Sequence, residues 1–268
     1  MIDVKIYVSD IATDDPAGAC EKLYRTACGY ARKRADACKR PIDKLRTLAA
    51  FELLRLALGK EGRGELMDTI AVGEYGKPFF DVGPDEALTE GGAEKNENAR
   101  LYFNISHSGD RVMCVLSPLE CGCDVERIKV PSPDSIPEPK SLPEQGSGQS
   151  QDSDPAVSDA DAKIEKTALR NMSTARRFFT ESEADRIERE PEPEGKIKMF
   201  TRIWTLKESY IKCDGRGLKA GLDTIDVFSP PEGITFRELS FNDGYCYSCC
   251  IKSAGDEIDF KAESLKVI

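Results

Sequence analysis

Histidine is almost absent from this chain of 268 residues, in which His107 is the only one. The segment from Cys246 to Cys249 has the C-x-x-C spacing of a zinc ligand pair, but neither a second well-spaced cysteine pair nor a nearby histidine completes it. We therefore assign no zinc site there. The ten cysteines are scattered, mostly within apolar periodic segments, and this usage predicts reduced thiols in a cytoplasmic protein.

Long hydrophobic runs are also missing. No stretch has the roughly 20 consecutive apolar residues that a membrane-spanning helix needs, so we expect no membrane segment. Residues 1–5 include an acid and begin no long apolar run, which predicts neither a signal peptide nor an anchor.

Basic residues are outnumbered by acidic ones, 38 against 48, and the sequence pI is about 4.9. A low pI without a basic stripe interleaved with aromatics argues against a nucleic-acid partner. The charge is unevenly distributed, however: residues 20–60 contain eleven basic and four acidic residues, whereas residues 131–161 contain seven acidic residues and one lysine. The early basic region predicts a surface that attracts an anionic ligand despite the global charge.

Hydrophobic periodicity predicts an α+β protein in two parts. Strands and helices are expected throughout residues 1–128, an N-terminal α+β half, and again throughout 164–268, a C-terminal α+β half. Between them, residues 129–163 are rich in Pro, Ser, Asp, Glu, Gln and Gly, and this composition predicts a disordered acidic linker. Two helices are expected after the linker, one of them behind a capping box at 180–183.

An acid and a base lie one turn apart on one predicted helix, where Glu208 and Lys212 follow Trp204 at intervals of four residues. Alone, such a pair is most often a solvated contact that contributes only about 0.3–0.5 kcal/mol. Far upstream, Asp124 and Glu126 lie two apart in a predicted strand and point to the same side. The apolar run before them favours an inner strand over an exposed edge, and paired carboxylates in such a setting predict a bound cation.

Four motifs follow one another in a fixed order. They are Asn-Ile-Ser-His-Ser-Gly at 104–109, Gly-Cys-Asp-Val-Glu at 122–126, Phe-Phe-Thr at 178–180, and W-x-x-K-E-S-x-x-K from Trp204 to Lys212. In this order they resemble the 4'-phosphopantetheinyl transferases, specifically the large, surfactin-synthetase-activating type. The resemblance covers most of the chain outside the linker, and it implies a monomer of two similar α/β halves in a pseudo-twofold arrangement. The sequence departs from the pattern at Cys123, where a branched aliphatic residue is usual, and in its long linker.

The resemblance implies an enzyme that transfers 4'-phosphopantetheine from coenzyme A to a serine of an apo acyl or peptidyl carrier protein and releases 3',5'-ADP. The carrier stays open among fatty acid, polyketide and nonribosomal peptide synthesis. Mg²⁺ prefers carboxylate and phosphate oxygens, and its candidate ligands are Asp124, Glu126 and Glu208. Glu208, or a metal-bound water oriented by it, is the candidate base for the carrier serine, and Lys212 is the candidate for stabilising charge on the phosphates.

The resemblance also implies coenzyme A contacts. Lys77 and Pro78 are expected against the adenine, Ser106 and His107 at the phosphates, and His107 on the 3'-phosphate. Arg46 is expected to complete the 3'-phosphate site with one or more of Arg32, Lys33 and Arg34. Asp124 and Lys212 are also assigned to the coenzyme A site.

Each assignment has a simpler alternative. A lone histidine in a Ser-rich turn is often a hydrogen-bonding loop residue, and the basic cluster at 32–46 is compatible with a solvated helix face. Trp204 and the pair Phe178–Phe179 are expected in the core. For the whole chain, the alternatives are a non-catalytic protein that binds coenzyme A or a carrier, and another metal-dependent enzyme that acts on phosphates. The complete set of acids together with Lys212 favours the transferase.

Overall fold

The computed structural model describes residues 1–82, 100–131, 159–217 and 221–268. They form two compact units, one of Met1–Arg127 with Thr201–Ile268 and the other of Ile128–Phe200. The mixed α and β character predicted from periodicity is confirmed. The boundaries 1–128, 129–163 and 164–268 stay a prediction.

The described helices and strands follow the predicted order closely in the first 130 residues. Pro16 and Pro41 each stand in the first turn of a helix, where a missing N–H costs nothing. The elements are β1 (Ile2–Asp10), α1 (Pro16–Thr26), α2 (Gly29–Asp36), α3 (Pro41–Lys60), a 3₁₀ helix (Gly64–Thr69), β2 (Ile70–Val72), β3 (Pro78–Phe80), β4 (Tyr102–Ser108), β5 (Arg111–Ser117), β6 (Cys121–Arg127), α4 (Asp159–Phe178), α5 (Glu181–Glu188), α6 (Pro193–Asp214), β7 (Ile234–Leu239), β8 (Tyr245–Lys252) and β9 (Ile258–Ser264).

Two larger sheets form the framework of the first unit. The first has the order β4-β5-β1-β9, with β1 parallel to β9 and the other pairs antiparallel. The second is antiparallel and has the order β6-β8-β7. A strand from the end of the chain therefore completes the first sheet, and β6 joins two strands that follow it by more than a hundred residues. β2 and β3 form a separate hairpin.

Strand β5 of the first sheet is buried on both faces. On β5, Cys114 and Leu116 pack into the core that also holds the apolar side of α3, while Met113 and Val115 pack with buried residues of β6 and β8. This alternation is the period of two expected of a strand. The first sheet thus lies between the helices α1–α3 and the second sheet, and several thiols, such as Cys123, fill the second core as small hydrophobes.

The second unit contains α4, α5 and the first turns of α6. The predicted capping box is confirmed: Thr180 Oγ1 accepts the Glu183 N–H, and the Glu183 side chain accepts the Thr180 N–H. Three helices follow the linker, not the two expected. Because α4 begins at Asp159, residues 159–163 of the predicted linker are helical, and residues 132–158 lie outside the described residues.

This error has a physical cause. Asp159 and Asp161 stand in the first turn of α4, where carboxylates are favoured by the helix dipole. In the sequence their charges cannot be separated from the acidic composition of the preceding segment. No helix in the described parts of the chain combines the length and apolarity needed to cross a membrane.

Candidate active site

A cavity of about 580 Å³ in the first unit brings together most of the residues singled out from the sequence. Its wall is built from α2, α3, the β2–β3 hairpin, β4, β6 and the end of α6. Of the predicted site residues, those that line it are Lys77, Pro78, Ser106, His107, Asp124, Glu126, Glu208 and Lys212.

Gly122 allows the two acidic elements to approach. A Cβ atom built on Gly122 of β6 would lie 2.1 Å from Ser209 O and 2.3 Å from Cys213 N, both on the backbone of α6. Only glycine avoids this overlap, and backbone atoms have little room to move aside. The close contact holds Asp124 and Glu126 of β6 beside Glu208 and Lys212 of α6.

Lys212 is paired with Asp124 and not with its helical neighbour. Its Nζ donates to Asp124 Oδ1 at 2.6 Å and to Ser106 Oγ at 2.9 Å, and Ser106 Oγ donates to Asp124 Oδ1 at 2.8 Å. Burial disfavours the charged form of Lys212, but its neighbours, Asp124 first and also Cys123 and Glu208, together outweigh this effect and the pKa of Lys212 is raised. The simple interpretation of Glu208 and Lys212 as a solvated pair is therefore wrong for Lys212.

The carboxylates of Asp124 and Glu208 lack part of the positive charge and hydrogen bonding that would stabilise their ionised forms. Asp124 is only 4% exposed, and its Oδ2 atom is buried and accepts no hydrogen bond. Burial, and then the charges of Asp124 and Glu126, raise the pKa of the Glu208 carboxyl, with Lys212 acting in the opposite direction. A divalent cation would relieve both features, so the donor set fits a hard cation. The described side chains include no group of three or more His, Cys, Asp or Glu already gathered at metal-binding separations.

Side chains of β4 occupy the outer edge of β6. Asn104 Oδ1 accepts the Cys123 N–H at 2.9 Å, and Ser106 Oγ accepts the Val125 N–H at 3.4 Å. The expectation of an inner strand was therefore wrong: β6 is the edge strand of its sheet. It is nevertheless buried from Cys121 to Val125, because side chains rather than a backbone ladder cover its edge.

The structure brings most, but not all, of the predicted coenzyme A contacts into the cavity. Arg46 does not line the cavity, but its charge acts on His107, whose pKa is lowered by desolvation first and then by Lys212 and Arg46. Arg46 Nε donates to Gly109 O at 2.7 Å. Of the other three basic candidates, Arg34 lines the cavity, whereas Arg32 donates to the carbonyls of Tyr24 and Arg25.

Comparisons with known proteins agree with this geometry. A sequence model described as the 4'-phosphopantetheinyl transferase superfamily matches residues 159–258. A 4'-phosphopantetheinyl transferase of Bacillus subtilis is 27% identical over 262 residues, 96% of this chain and 90% of that protein. By these matches the chain is similar to the 4'-phosphopantetheinyl transferases.

Two further members of the superfamily are similar over shorter spans. The 4'-phosphopantetheinyl transferase Sfp of Bacillus subtilis strain 168 is 26% identical over 207 residues, 76% of this chain and 67% of that protein. The 4'-phosphopantetheinyl transferase gsp of Aneurinibacillus migulanus is 26% identical over 188 residues, 66% of this chain and 55% of that protein. The resemblance that the four motifs indicated is thereby confirmed.

Some residues that line the cavity were missed or misplaced by sequence reasoning. Trp204, expected in the core, lines the cavity, as do Tyr30 and Tyr75. The four-residue spacing from Trp204 to Glu208 was a sufficient signal, since both side chains lie on one helical face. Tyr30 had no comparable signal, whereas Tyr75 lies in the segment 74–78, which resembles a further segment of the family.

Lys207 of the W-x-x-K-E motif binds backbone carbonyl groups and does not line the cavity. It is fully buried, and its Nζ donates to Leu222 O at 2.5 Å and to Ile225 O at 2.6 Å. It therefore anchors the chain that follows α6. The tie between α6 and Leu222 also stabilises the small cluster in which Trp204 packs against Ile211.

Proposed function

We propose that this protein transfers 4'-phosphopantetheine from coenzyme A to a serine hydroxyl of an apo acyl or peptidyl carrier protein and releases 3',5'-ADP. The observation that carries the proposal is the arrangement of Lys212 and Asp124, with Glu208 beside them, in one cavity of a chain similar to known 4'-phosphopantetheinyl transferases. A protein that only binds coenzyme A would have no need for a base of raised pKa next to this pair.

In the proposed reaction, the carrier serine Oγ forms a bond to the β-phosphorus of coenzyme A. The P–O bond to the α-phosphate breaks, and its electron pair leaves with 3',5'-ADP. Glu208 takes the proton of the serine hydroxyl, a role for which its carboxylate lies in the cavity close to Lys212 and Asp124. Lys212 stays charged, since its pKa is raised, and stabilises negative charge that grows on the phosphate oxygens.

We also propose that the reaction depends on Mg²⁺, held by Asp124, Glu126 and Glu208. The buried and unpaired Asp124 Oδ2 supports this assignment, because an oxygen without a donor is suited to a metal ligand. When bound, the ion would neutralise charge on the pyrophosphate. The chain's own contribution is to hold the three carboxylates around one cavity.

Coenzyme A is proposed to lie with its adenine against Lys77 and Pro78 and its 3'-phosphate near His107, Arg46 and Arg34. The ammonium of Lys77 donates to Cys121 O and Cys213 O, both at 3.0 Å, so the adenine contact falls to the methylene part of this side chain. Lys77 thereby links the hairpin to β6 and α6. Ser106 is proposed to meet the phosphates from beside Lys212.

The same proposal includes the pseudo-twofold relation of two α/β halves, the boundaries at 128 and 163, a monomeric state and a cytoplasmic location. The free thiols of all ten cysteines support the reducing location.

Release of 3',5'-ADP tests the function directly. An apo carrier is incubated with this protein, coenzyme A and Mg²⁺, and the nucleotide is measured over time. We expect release that stops when the metal is chelated and that is absent with a carrier whose acceptor serine is changed to alanine. Absence of release with carriers of fatty acid, polyketide and peptide synthesis alike would reject the proposal.

A further inference from the structure

Ser108, at the end of β4, repeats the contacts of Ser106 two residues further along. Ser106 Oγ accepts the Val125 N–H and donates to the preceding carboxylate, Asp124 Oδ1. Ser108 Oγ accepts the Arg127 N–H at 3.1 Å and donates to the preceding carboxylate, Glu126 Oε2, at 2.8 Å. Both strands have a side-chain period of two, so the same unit recurs along their common edge.

We infer that Ser108 is a positioning residue that fixes Glu126 for binding the divalent cation. This inference rests on the proposed function, because it gives Glu126 the role of a metal ligand. A serine hydroxyl has one proton to donate, and here it is committed to the carboxylate. The acceptor side is fixed by a backbone N–H of β6, so the hydroxyl cannot rotate away without losing two hydrogen bonds.

Glu126 and Asp124 differ in burial and in side-chain length. Asp124 is buried and is held by Lys212 and Ser106 together, whereas Glu126 is only partly buried near the end of its strand. Its longer side chain also has more rotamers to lose on binding a metal. Hydrogen-bond partners of metal ligands typically change metal affinity by about 10- to 100-fold when they are removed.

A purely structural role for Ser108 makes a different prediction. In that case the hydroxyl serves only to close the edge of β6 through the Arg127 N–H, and its loss would lower stability without a specific effect on metal binding. Ser117 offers a matched control: its Oγ accepts the Leu119 N–H at 3.0 Å, and it lies on the neighbouring strand β5. The structure gives Ser117 no contact with the carboxylates of the cavity.

The test measures the Mn²⁺ dissociation constant at saturating coenzyme A for wild type, Ser108→Ala, Ser108→Thr and Ser117→Ala. We expect about tenfold weaker binding for Ser108→Ala, recovery to near wild type for Ser108→Thr, and no change for Ser117→Ala. The coenzyme A dissociation constant without metal should be the same for Ser108→Ala and wild type, and circular dichroism verifies folding.

Two outcomes would overturn the inference in distinguishable ways. Unchanged Mn²⁺ affinity in a folded Ser108→Ala protein, or an equal loss in Ser117→Ala, rejects the positioning role and leaves the proposed function intact. Failure of the wild type itself to bind Mn²⁺ in the presence of coenzyme A rejects the metal part of the proposed function together with this inference.

Discussion

At the scale of single residues, the two oxygens of Asp124 differ sharply. Oδ1 accepts from Lys212 and Ser106, while Oδ2 is buried without a donor. An unsatisfied buried polar atom costs about 1–3 kcal/mol, so the native fold carries a local penalty at this position. A cation bound at the proposed metal site would remove this penalty, because the unpaired oxygen is available to bind it.

Replacing Asp124 by asparagine separates the two oxygens. Asp124→Asn keeps a carbonyl oxygen that can accept from Lys212 and Ser106. It puts an amide nitrogen, which cannot bind a cation, in place of the second oxygen, and it removes the negative charge. We expect turnover to fall about 100-fold, while the free energy of unfolding changes by no more than about 1–3 kcal/mol. Urea unfolding and initial rates measure the two effects, and wild-type turnover at ordinary Mg²⁺ concentrations would remove the metal assignment.

His107 makes coenzyme A binding depend on pH. Its pKa is lowered in the cavity by desolvation, Lys212 and Arg46, so the free protein holds it neutral near neutral pH. A bound 3'-phosphate favours the protonated form, and binding therefore takes up a proton. The affinity for coenzyme A should rise as the pH falls from about 8 to about 6.

Calorimetry on wild type and His107→Gln, each with coenzyme A and with the analogue lacking the 3'-phosphate, checks this prediction. The increase at low pH should disappear with the analogue and in the variant. An equal pH dependence for both ligands would place His107 away from the 3'-phosphate.

At the scale of elements, the site depends on the contact between β6 and α6. Gly122→Ala would place a methyl group against Ser209 O and Cys213 N, and overpacking of this kind typically costs about 1–3 kcal/mol, occasionally more. We expect a lower unfolding midpoint and a large loss of transfer, because the carboxylates of β6 move relative to Glu208.

Gly59→Ala provides the control for Gly122→Ala. Gly59 lies in the last turn of α3, and a Cβ built there meets nothing within 4 Å. Alanine at this position should be neutral or stabilising by up to about 1 kcal/mol. Equal unfolding curves for the two variants would show that β6 and α6 tolerate separation and that the close contact is not required.

Local sequence patterns predicted some of the strands and helices and missed others. The sequence predicts strands at residues 2–9 and 111–117, within a residue of β1 and β5, because both are short runs rich in apolar residues that end at polar or turn residues. The edge position of β6 was not predictable, since the partners of its outer N–H groups are side chains of β4 rather than a neighbouring backbone. The acidic start of α4 was missed because helix-stabilising acids and linker acids have the same composition.

Within the candidate site, the order of the motifs predicted which residues line the cavity, but it did not predict which of them contact each other. Glu208 and Lys212 share a helical face, as their spacing indicated, and both line the cavity. That Lys212 pairs with Asp124, 88 residues earlier in the chain, depends on tertiary packing and has no local signal. The anchoring role of Lys207 likewise depends on carbonyl groups of a later loop.

At the scale of the whole molecule, the central segment is predicted to be dispensable for chemistry. Residues 132–157 contain five acids, one lysine and few apolar residues, a composition that offers little surface to bury. Replacing them by a Gly/Ser connection that stops before Asp159 should leave folding and transfer to a small carrier nearly unchanged. A large loss of transfer in a well-folded replacement would show that this segment contributes to the site.

The proposed reaction transfers phosphopantetheine to a carrier serine in one cavity of this protein, with Glu208 as the base. The most direct measurement is the intact mass of an apo carrier after incubation with coenzyme A, Mg²⁺ and either the wild type or Glu208→Gln. The wild type should add the mass of one phosphopantetheine group per carrier, and folded Glu208→Gln should add it at least about 100-fold more slowly. No mass increase with the wild type, or an equal rate with Glu208→Gln, would contradict the account.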